Sequence, residues 1–280
     1  MQESESKTDL RLIEAGFPCH QVGAETQRER GASSALPPLY YLHVWWARRP
    51  LTPSRAAILA SILPADTDPD WFLRQLGIEK VQAIVNGEPW TLVGRLLNLI
   101  ITDKSGSEWL LVDNVVRRAL KKEQKRREKN RELIRGLCNA DQCLSSHPVI
   151  VRWAQESRQI PGPLPKDGNR IQVQRIPADP AHVNERIEFA KSERVKSILG
   201  FALKWDIEDL YGYSRAYMYH PILKNTKITV LDPTAGGGSI PFEAMRLGYN
   251  VISNELNPVA AVILYATLDF PARFGLDLIE

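Results

Sequence analysis

Short apolar runs alternate with amphipathic segments most clearly in the last part of the chain. Residues 227–231 form a brief apolar run that is typical of a buried strand, and a helix is predicted from about residue 239 to 247. A second apolar run covers residues 249–253, and Pro258 follows an asparagine, which is a favourable helix start. The pattern predicts a β-α-β-α order, as at the start of an α/β domain.

The pattern over the earlier residues is different. Residues 1–64 contain a polar lead, an aromatic and basic run at 40–50, and a helix that is expected to begin at Thr52 as its cap and to stop at Pro64. This N-terminal segment is interpreted as separate from the region that follows it.

Residues 65–220 are predicted to form a mostly helical insertion, because apolar helical patches such as 90–101 alternate with charged and proline-rich segments. Within it, residues 115–136 carry ten Lys or Arg against three Glu, which predicts a long basic helix with too few Leu and Ile for a core element. Residues 221–280 hold the α/β segment. The chain is expected to form about two domains.

Composition narrows the class of protein. With 44% hydrophobic and 25% charged residues, the chain is expected to be globular. No apolar run is long enough to span a membrane and the start is acidic and polar, so a cytoplasmic location is expected. The cysteines fit reduced thiols, and Cys138, Cys143 and His147 offer too few ligands for a metal site.

Three consecutive glycines, Gly236, Gly237 and Gly238, stand between the first predicted strand and its helix. Because glycine has no Cβ, a ligand can lie against the backbone amides of such a turn. A dinucleotide fingerprint would need glycine in place of Pro241, and the Gly-Lys-Ser/Thr of a phosphate-binding loop is absent. S-adenosylmethionine, which has no phosphate, is the favoured ligand.

The acidic neighbours of this glycine loop are expected to have separate roles. Asp232, at the end of the first strand, faces the ammonium or sulfonium group in this hypothesis, while loop amides meet the ligand's carboxylate. Glu255, at the end of the second strand, is placed to accept two hydroxyl hydrogens from the ribose. The other predicted cofactor contacts in these two motifs are Pro233, Thr234, Gly236, Gly237, Gly238 and Asn257.

Residues 232–244, Asp-Pro-Thr-Ala-Gly-Gly-Gly-Ser-Ile-Pro-Phe-Glu-Ala, and 254–260, Asn-Glu-Leu-Asn-Pro-Val-Ala, closely resemble the cofactor motifs of adenine-specific DNA methyltransferases. The resemblance is to the large prokaryotic methylases, often linked with phage defence, that begin with a conserved domain of unknown function. Residues 43–50, His-Val-Trp-Trp-Ala-Arg-Arg-Pro, are similar to the upstream segment of that family. The resemblance implies an incomplete Rossmann-like, S-adenosylmethionine-dependent domain that acts on DNA.

In that family the upstream segment packs beside the cofactor pocket. The resemblance therefore implies that this segment returns to the glycine loop and that residues 65–220 loop out between them. Trp45 and Trp46 would supply an aromatic wall, and Arg48 or Arg49 a carboxylate partner. The alternative is that both tryptophans are core anchors and both arginines are surface charges.

The family holds its methyl acceptor with an Asp/Asn-Pro-Pro-aromatic segment, in which the aromatic ring stacks on a flipped-out base. No such tetrapeptide occurs in this sequence. Asp68-Pro69-Asp70-Trp71 lacks the second proline and is assigned to a turn. The expectation is a fragment of a longer methylase, or one half of a split enzyme completed by a second polypeptide, that transfers no methyl group alone.

The basic helix is a candidate DNA contact, since each Lys or Arg can neutralise one phosphate. Its candidate residues are Arg117, Arg118, Lys121, Lys122, Lys125 and Arg126. The alternative is a solvated helix with Glu–Lys pairs. For the whole chain, the alternative to a methyltransferase component is a DNA-binding or assembly module of a defence complex with a vestigial cofactor fold. Adenine and the exocyclic amine of cytosine both remain candidate targets.

Overall fold

The computed structural model describes residues 10–31, 50–158, 165–201, 203, 227–275 and 277. The chain divides into two compact units, Met1–Ile78 with Tyr213–Glu280, and Glu79–Gly212. The fold is mixed α/β, with a five-stranded antiparallel sheet in the second unit and a two-stranded parallel sheet in the first.

The described residues near the start of the first unit include the helices α1 (Cys19–Gly31), α2 (Leu51–Ile62) and α3 (Pro69–Gln75). The prediction that Thr52 caps α2 is wrong. Thr52 lies in the first turn, and the carboxylate of Glu29 on α1 accepts hydrogen bonds from the amides of Leu51 at 2.7 Å and Thr52 at 3.0 Å. The first amides of α2 are therefore paired by a side chain of α1 and not by the side chain of Thr52.

The Asp-Pro-Asp-Trp segment is the capped start of α3 rather than a free turn. The Asp68 side chain accepts hydrogen bonds from the amides of Asp70 and Trp71, and Pro69 occupies the first helical position. Proline is favoured there because that amide has no helical partner.

The second unit is built on a sheet that the pattern of apolar residues does not predict. Its strands are β1 (Glu79–Val85), β2 (Glu88–Thr91), β3 (Ile100–Thr102), β4 (Glu108–Leu111) and β5 (Arg170–Pro177). Their order is β2-β1-β5-β4-β3, and every neighbouring pair is antiparallel. The expectation of a mostly helical insertion is thus incomplete.

The predicted helical patch over residues 90–101 is wrong. Part of β2, a 3₁₀ turn at Gly94–Leu99 and part of β3 occupy it. Gly94 has φ +56°, a left-handed conformation that interrupts a regular helix. The apolar residues of this segment lie in two strands and a turn instead.

The α-helices in the described part of this unit are α4 (Asn114–Ala140), α5 (Pro148–Glu156), α6 (Pro180–Lys191) and α7 (Glu193–Leu199). Helix α4 is the predicted basic helix, but the expectation that it is not a core element is wrong. Val116 and Leu120 are buried in the core against the sheet, and Ile134 and Leu137 in a second core with α5, α6 and α7. These apolar residues lie on one face, so a small number is enough to anchor both ends of the helix.

The last described residues follow the predicted β-α-β-α order. They form β6 (Thr229–Asp232), α8 (Ser239–Arg246), β7 (Asn250–Ser253) and α9 (Pro258–Leu264), which continues through a π-helical turn, Tyr265–Asp269, into α10 (Phe270–Phe274). Strands β6 and β7 are parallel, with Leu231 opposite Ile252. Their carboxyl ends therefore meet at one edge of the sheet.

Candidate functional site

The loops that follow β6 and β7 are joined by backbone hydrogen bonds. The amide of Asn254 donates to the carbonyl of Asp232 at 2.9 Å, and the amide of Ala235 donates to the carbonyl of Asn254 at 3.0 Å. The Asn254 side-chain amide also donates to the carbonyl of Pro233, at 3.2 Å. The two loops that carry the sequence motifs are thus held together.

Glu255 holds the glycine loop directly. Its Oε2 accepts a hydrogen bond from the amide of Gly236 at 2.6 Å, and its Oε1 accepts from the amides of Leu256 at 2.9 Å and Asn257 at 3.0 Å. The amides of Asn257 and Gly236 lower the pKa of Glu255 below its ordinary value, because they stabilise the charged carboxylate. Glu255 is therefore a negative charge fixed at the loop.

Gly238 is required by two features of its surroundings. It is buried with φ +79°, and a Cβ there would lie 2.8 Å from Cδ2 of Leu264 and 3.2 Å from Cδ1 of Leu268. Its amide donates to the carbonyl of Ala235 at 2.8 Å. Gly238 thus lets α9 and the turn after it pack against the start of α8.

The start of α8 leaves several donors open. Among the residues that the structure describes, the amides of Gly237, Ser239 and Ile240 have no hydrogen-bond partner. The first amides of a helix carry a partial positive charge and favour an anionic group. The start of α8 therefore offers donors to an anionic group of a ligand.

Asp232 is 7% exposed and lies where β6 ends. Its Oδ1 accepts a hydrogen bond from the amide of Thr234 at 3.2 Å, within the turn that leads to the glycines. Asn257 has a local role, since its Oδ1 accepts from the amide of Val259 at 2.9 Å and caps α9.

The structure brings most of the predicted cofactor contacts together at one end of the parallel sheet. These residues are Asp232, Pro233, Thr234, Gly236, Gly237, Gly238, Glu255 and Asn257. Trp46 and Arg48 lie outside the described residues.

A buried ion-pair cluster behind the loop was missed in the sequence. Glu243, on α8, is 1% exposed, and its carboxylate contacts Nη1 of Arg55 on α2 at 3.3 Å and Nη1 of Arg246. Arg55 also donates from Nε to the carbonyl of Gln75 at 3.1 Å. Burial raises the pKa of Glu243 and lowers the pKa of Arg55, and attraction between the opposite charges opposes both shifts.

This cluster attaches α2 to the helix that follows the glycine loop. Leu51 of α2 packs against Phe242 of α8 on the same side. Arg55 and Glu243 are 188 positions apart, so no local pattern links them. The glutamate alone could have been singled out, as a charged residue on a helix whose neighbours are apolar.

The predicted DNA-contact residues of α4 separate into two groups. Arg117 is paired with Asp167, and Arg126 with Glu123 at 2.7 Å. The remaining four are exposed: Arg118, Lys121, Lys122 and Lys125. Arg127, which was not predicted, is buried beside Glu123 at 2.8 Å.

Within the described ranges, no group of three or more His, Cys, Asp or Glu side chains is arranged to hold a metal ion. Cys138 and Cys143 are free thiols. The helices in the described part of the chain are all too short or too polar to cross a membrane.

Residues 16–84 match the model of a family described as "Protein of unknown function (DUF1156)". The match includes α1, α2 and α3, and therefore Arg55. It agrees with the expected presence of an uncharacterised N-terminal domain. No curated protein and no solved structure matches the chain.

Proposed function

We propose that the first unit binds S-adenosylmethionine and is the cofactor-binding part of a DNA amino-methyltransferase with a Rossmann-like fold, acting on adenine. The observation that carries the proposal is the 2.6 Å hydrogen bond from the amide of Gly236 to Glu255. This hydrogen bond joins the two motifs that resemble methyltransferase cofactor motifs. Both motifs lie at the carboxyl ends of parallel strands, where ligands of open α/β sheets bind.

The donors and acceptors at this edge suit the chemistry of S-adenosylmethionine. The open amides of Gly237, Ser239 and Ile240 favour the carboxylate of its methionine part. The carboxylate of Asp232 favours its ammonium or sulfonium group.

Glu255 can accept fewer hydrogen bonds from the ribose than the sequence suggests. Each carboxylate oxygen has two lone pairs, and Oε1 already accepts two amide hydrogen bonds whereas Oε2 accepts one. We therefore expect Oε2 to accept a single ribose hydroxyl and not both.

In this proposal the site binds the cofactor, while the described residues include no Asp/Asn-Pro-Pro-aromatic segment to hold the methyl acceptor. Leu231 and Ile252, on one face of the parallel sheet, are 62% and 56% exposed. Parallel sheets are normally covered on both faces. In this proposal, further strands and helices, from another segment or from a second polypeptide, cover this face and carry the Asp/Asn-Pro-Pro-aromatic motif.

Isothermal titration of the chain with S-adenosylmethionine tests the proposal, with Asp232→Asn as the informative variant. Asparagine keeps the acceptor for the amide of Thr234 but removes the charge, so binding is expected to weaken by at least about tenfold with little change in melting temperature. The control is Asp70→Asn, an exposed carboxylate in the same unit whose loss should leave binding unchanged.

The outcome that contradicts the proposal is equally direct. If the folded chain binds no S-adenosylmethionine, or binds ATP or NAD more tightly, the cofactor assignment fails. A folded chain without cofactor affinity that still binds DNA would favour the alternative of a DNA-binding or assembly module with a vestigial cofactor fold.

A further inference from the structure

Helix α4 presents a line of cations on the side opposite its buried residues. With about 3.6 residues per turn, Arg118, Lys122, Lys125 and Lys129 fall on one narrow face. All four are exposed, whereas the buried Val116, Leu120, Glu123, Arg127 and Ile134 lie on the far side of the helix. We call these four cations the basic stripe.

The stripe is not neutralised by the acidic residues of the helix. Glu128 and Glu132 lie along one side of it, yet neither forms an ion pair with a stripe residue within the described parts of the chain. Glu123 is committed to Arg126 and Arg127 on the opposite side. The Glu–Lys pairing that would explain the basic residues as a solvated surface is therefore not observed along the stripe.

The helix that carries the stripe is fixed in place. Its apolar residues are divided between two cores, as described above. Between them, Arg127 donates to the carbonyl of Pro89 at 2.6 Å and to the carbonyl of Arg158 at 3.0 Å. The spacing of the cations is thus set before any partner binds, which lowers the entropic cost of binding a regular partner.

We propose that the basic stripe binds the phosphate backbone of duplex DNA. Arg118 and Lys129 are eleven residues apart, a span of about 16 Å along the helix, or about five nucleotides of one DNA strand. A straight row of cations suits a regular polyanion. The choice of DNA over other polyanions rests on the proposed function, and the stripe itself does not depend on the cofactor site.

A membrane surface is a poorer partner for the same helix. A helix that lies on a bilayer inserts its apolar face between the lipids. The apolar face of α4 is already buried in the protein, and the exposed residues beside the stripe include Lys121, Glu128 and Glu132.

The residue assignment differs from that expected from sequence. Arg117 and Arg126 are paired within the protein and are not stripe members, whereas Lys129 is added. Lys121 is exposed but lies to one side of the line. Burial and pairing, and not the number of basic residues, select the contacts.

The test is fluorescence anisotropy with a labelled mixed-sequence DNA duplex, without cofactor, over a series of salt concentrations. The variant R118Q/K122Q/K125Q/K129Q removes the stripe, and K104Q/K166Q/R170Q/K191Q removes the same charge from exposed sites elsewhere in the unit. Four phosphate contacts predict a slope of log K against log salt of about −3.6 for the unchanged chain. We expect the stripe variant to lose most of this slope and at least about tenfold in affinity.

The control variant is expected to keep the slope of log K against log salt to within about 0.9, the change that one phosphate contact makes. Equal loss in the two variants would show a general charge effect and overturn the proposal, as would unchanged binding by the stripe variant. Tighter, stripe-dependent binding to single-stranded RNA or to anionic vesicles of phosphatidylserine and phosphatidylcholine would overturn the choice of duplex DNA.

A second measurement does not depend on variants. Lysine acetylation of the unchanged chain, followed by mass spectrometry, should slow at Lys122, Lys125 and Lys129 when duplex DNA is added, but not at Lys166 or Lys191. Protection spread evenly over all five lysines would contradict the stripe. Because no cofactor is present in either experiment, a failure here is distinct from a failure of S-adenosylmethionine binding.

Discussion

Glu255 and Gly238 show how single residues set the shape of the glycine loop. Glu255 accepts hydrogen bonds from the amides of Gly236, Leu256 and Asn257, and Gly238 removes a side chain from the contact with Leu264. The carboxylate stabilises the loop, and the missing Cβ permits its close packing. Each effect can be tested by substituting the residue that causes it.

Glu255→Ala should abolish measurable S-adenosylmethionine binding and loosen the loop, because three amides lose their acceptor together. Hydrogen exchange at the amide of Gly236, read by NMR, measures the loosening separately from ligand affinity. Glu14→Ala, at an exposed helix-free site in the same unit, is the control. Full protection of the Gly236 amide in the Glu255 variant would contradict the role assigned to this carboxylate.

The same bond predicts a dependence on pH. The pKa of Glu255 is lowered in the folded chain, so its stabilising effect is complete above the pKa of a glutamate in an unfolded chain, about 4.3. It is lost as the pH falls through the lower folded value. Protection of the Gly236 amide should therefore persist at pH values where an ordinary glutamate is already half protonated, and loss near the ordinary value would contradict this.

Gly238→Ala should destabilise the first unit by about 1–3 kcal/mol, because the new Cβ meets Leu264 in a left-handed backbone conformation. The free energy of unfolding in urea measures this cost. Gly136→Ala is a matched control, since a Cβ at this position in α4 has nothing within 4 Å. It should stabilise by about 0.5–1 kcal/mol, as alanine does in a helix. Equal effects of the two changes would contradict the close packing.

At the scale of elements, the central contact is the one between α2 and α8. Arg55 on α2 and Arg246 on α8 share the buried carboxylate of Glu243, while Leu51 packs on Phe242. The segment that matches the family of unknown function thus supports the helix that follows the glycine loop. This contact gives α2 a structural role that no residue of α2 indicates by itself.

Glu243→Ala should cost about 3–5 kcal/mol, because it leaves the buried guanidinium of Arg55 without its partner. Hydrogen exchange over residues 239–246 locates the effect in α8. The control is Asp269→Asn, which removes an exposed ion pair with Arg273 in the same unit and should cost less than about 1 kcal/mol. A similar loss of unfolding free energy in both variants would show that the buried pair stabilises the chain no more than the exposed pair does.

The elements near the glycine loop were predictable because their signals are local. Glycine, proline and short apolar runs mark β6, α8, β7 and α9 within a few residues of each boundary. The antiparallel sheet was not predictable in this way, because β1 pairs with β5 across a long stretch of sequence. The strand conformation of those residues depends on pairing with residues that are distant in the sequence.

The candidate site shows the same division. The motifs that hold Asp232 and Glu255 were found in the sequence, but the hydrogen bond that joins Glu255 to Gly236 required the fold. The burial of α4 was missed because four well-placed apolar residues are enough to anchor it. Arg55 could not be connected with Glu243, since the partners are 188 positions apart.

At the scale of the whole molecule, the two units have different proposed tasks. The first unit, with the parallel strands, is proposed to hold the cofactor. The second, with the antiparallel sheet and α4, is proposed to bind DNA. Each task can be measured without the other, so the two proposals can fail independently.

The chain by itself should transfer no methyl group to DNA. Its sequence has no Asp/Asn-Pro-Pro-aromatic segment to hold a flipped-out base. Incorporation of label from S-adenosylmethionine into adenine-containing duplex DNA measures this, with heat-denatured chain as the background. Turnover above that background would contradict the proposal that the acceptor site lies in another segment or polypeptide.

The contact between Arg55 and Glu243 also bears on how the chain folds during synthesis. At about 5–20 residues per second, a ribosome needs about ten to forty seconds to add the 188 positions that separate them. Throughout that interval the nascent α2 has an arginine and an apolar surface without the helix that later buries them. Holdase chaperones should therefore bind the early part of the nascent chain until α8 emerges.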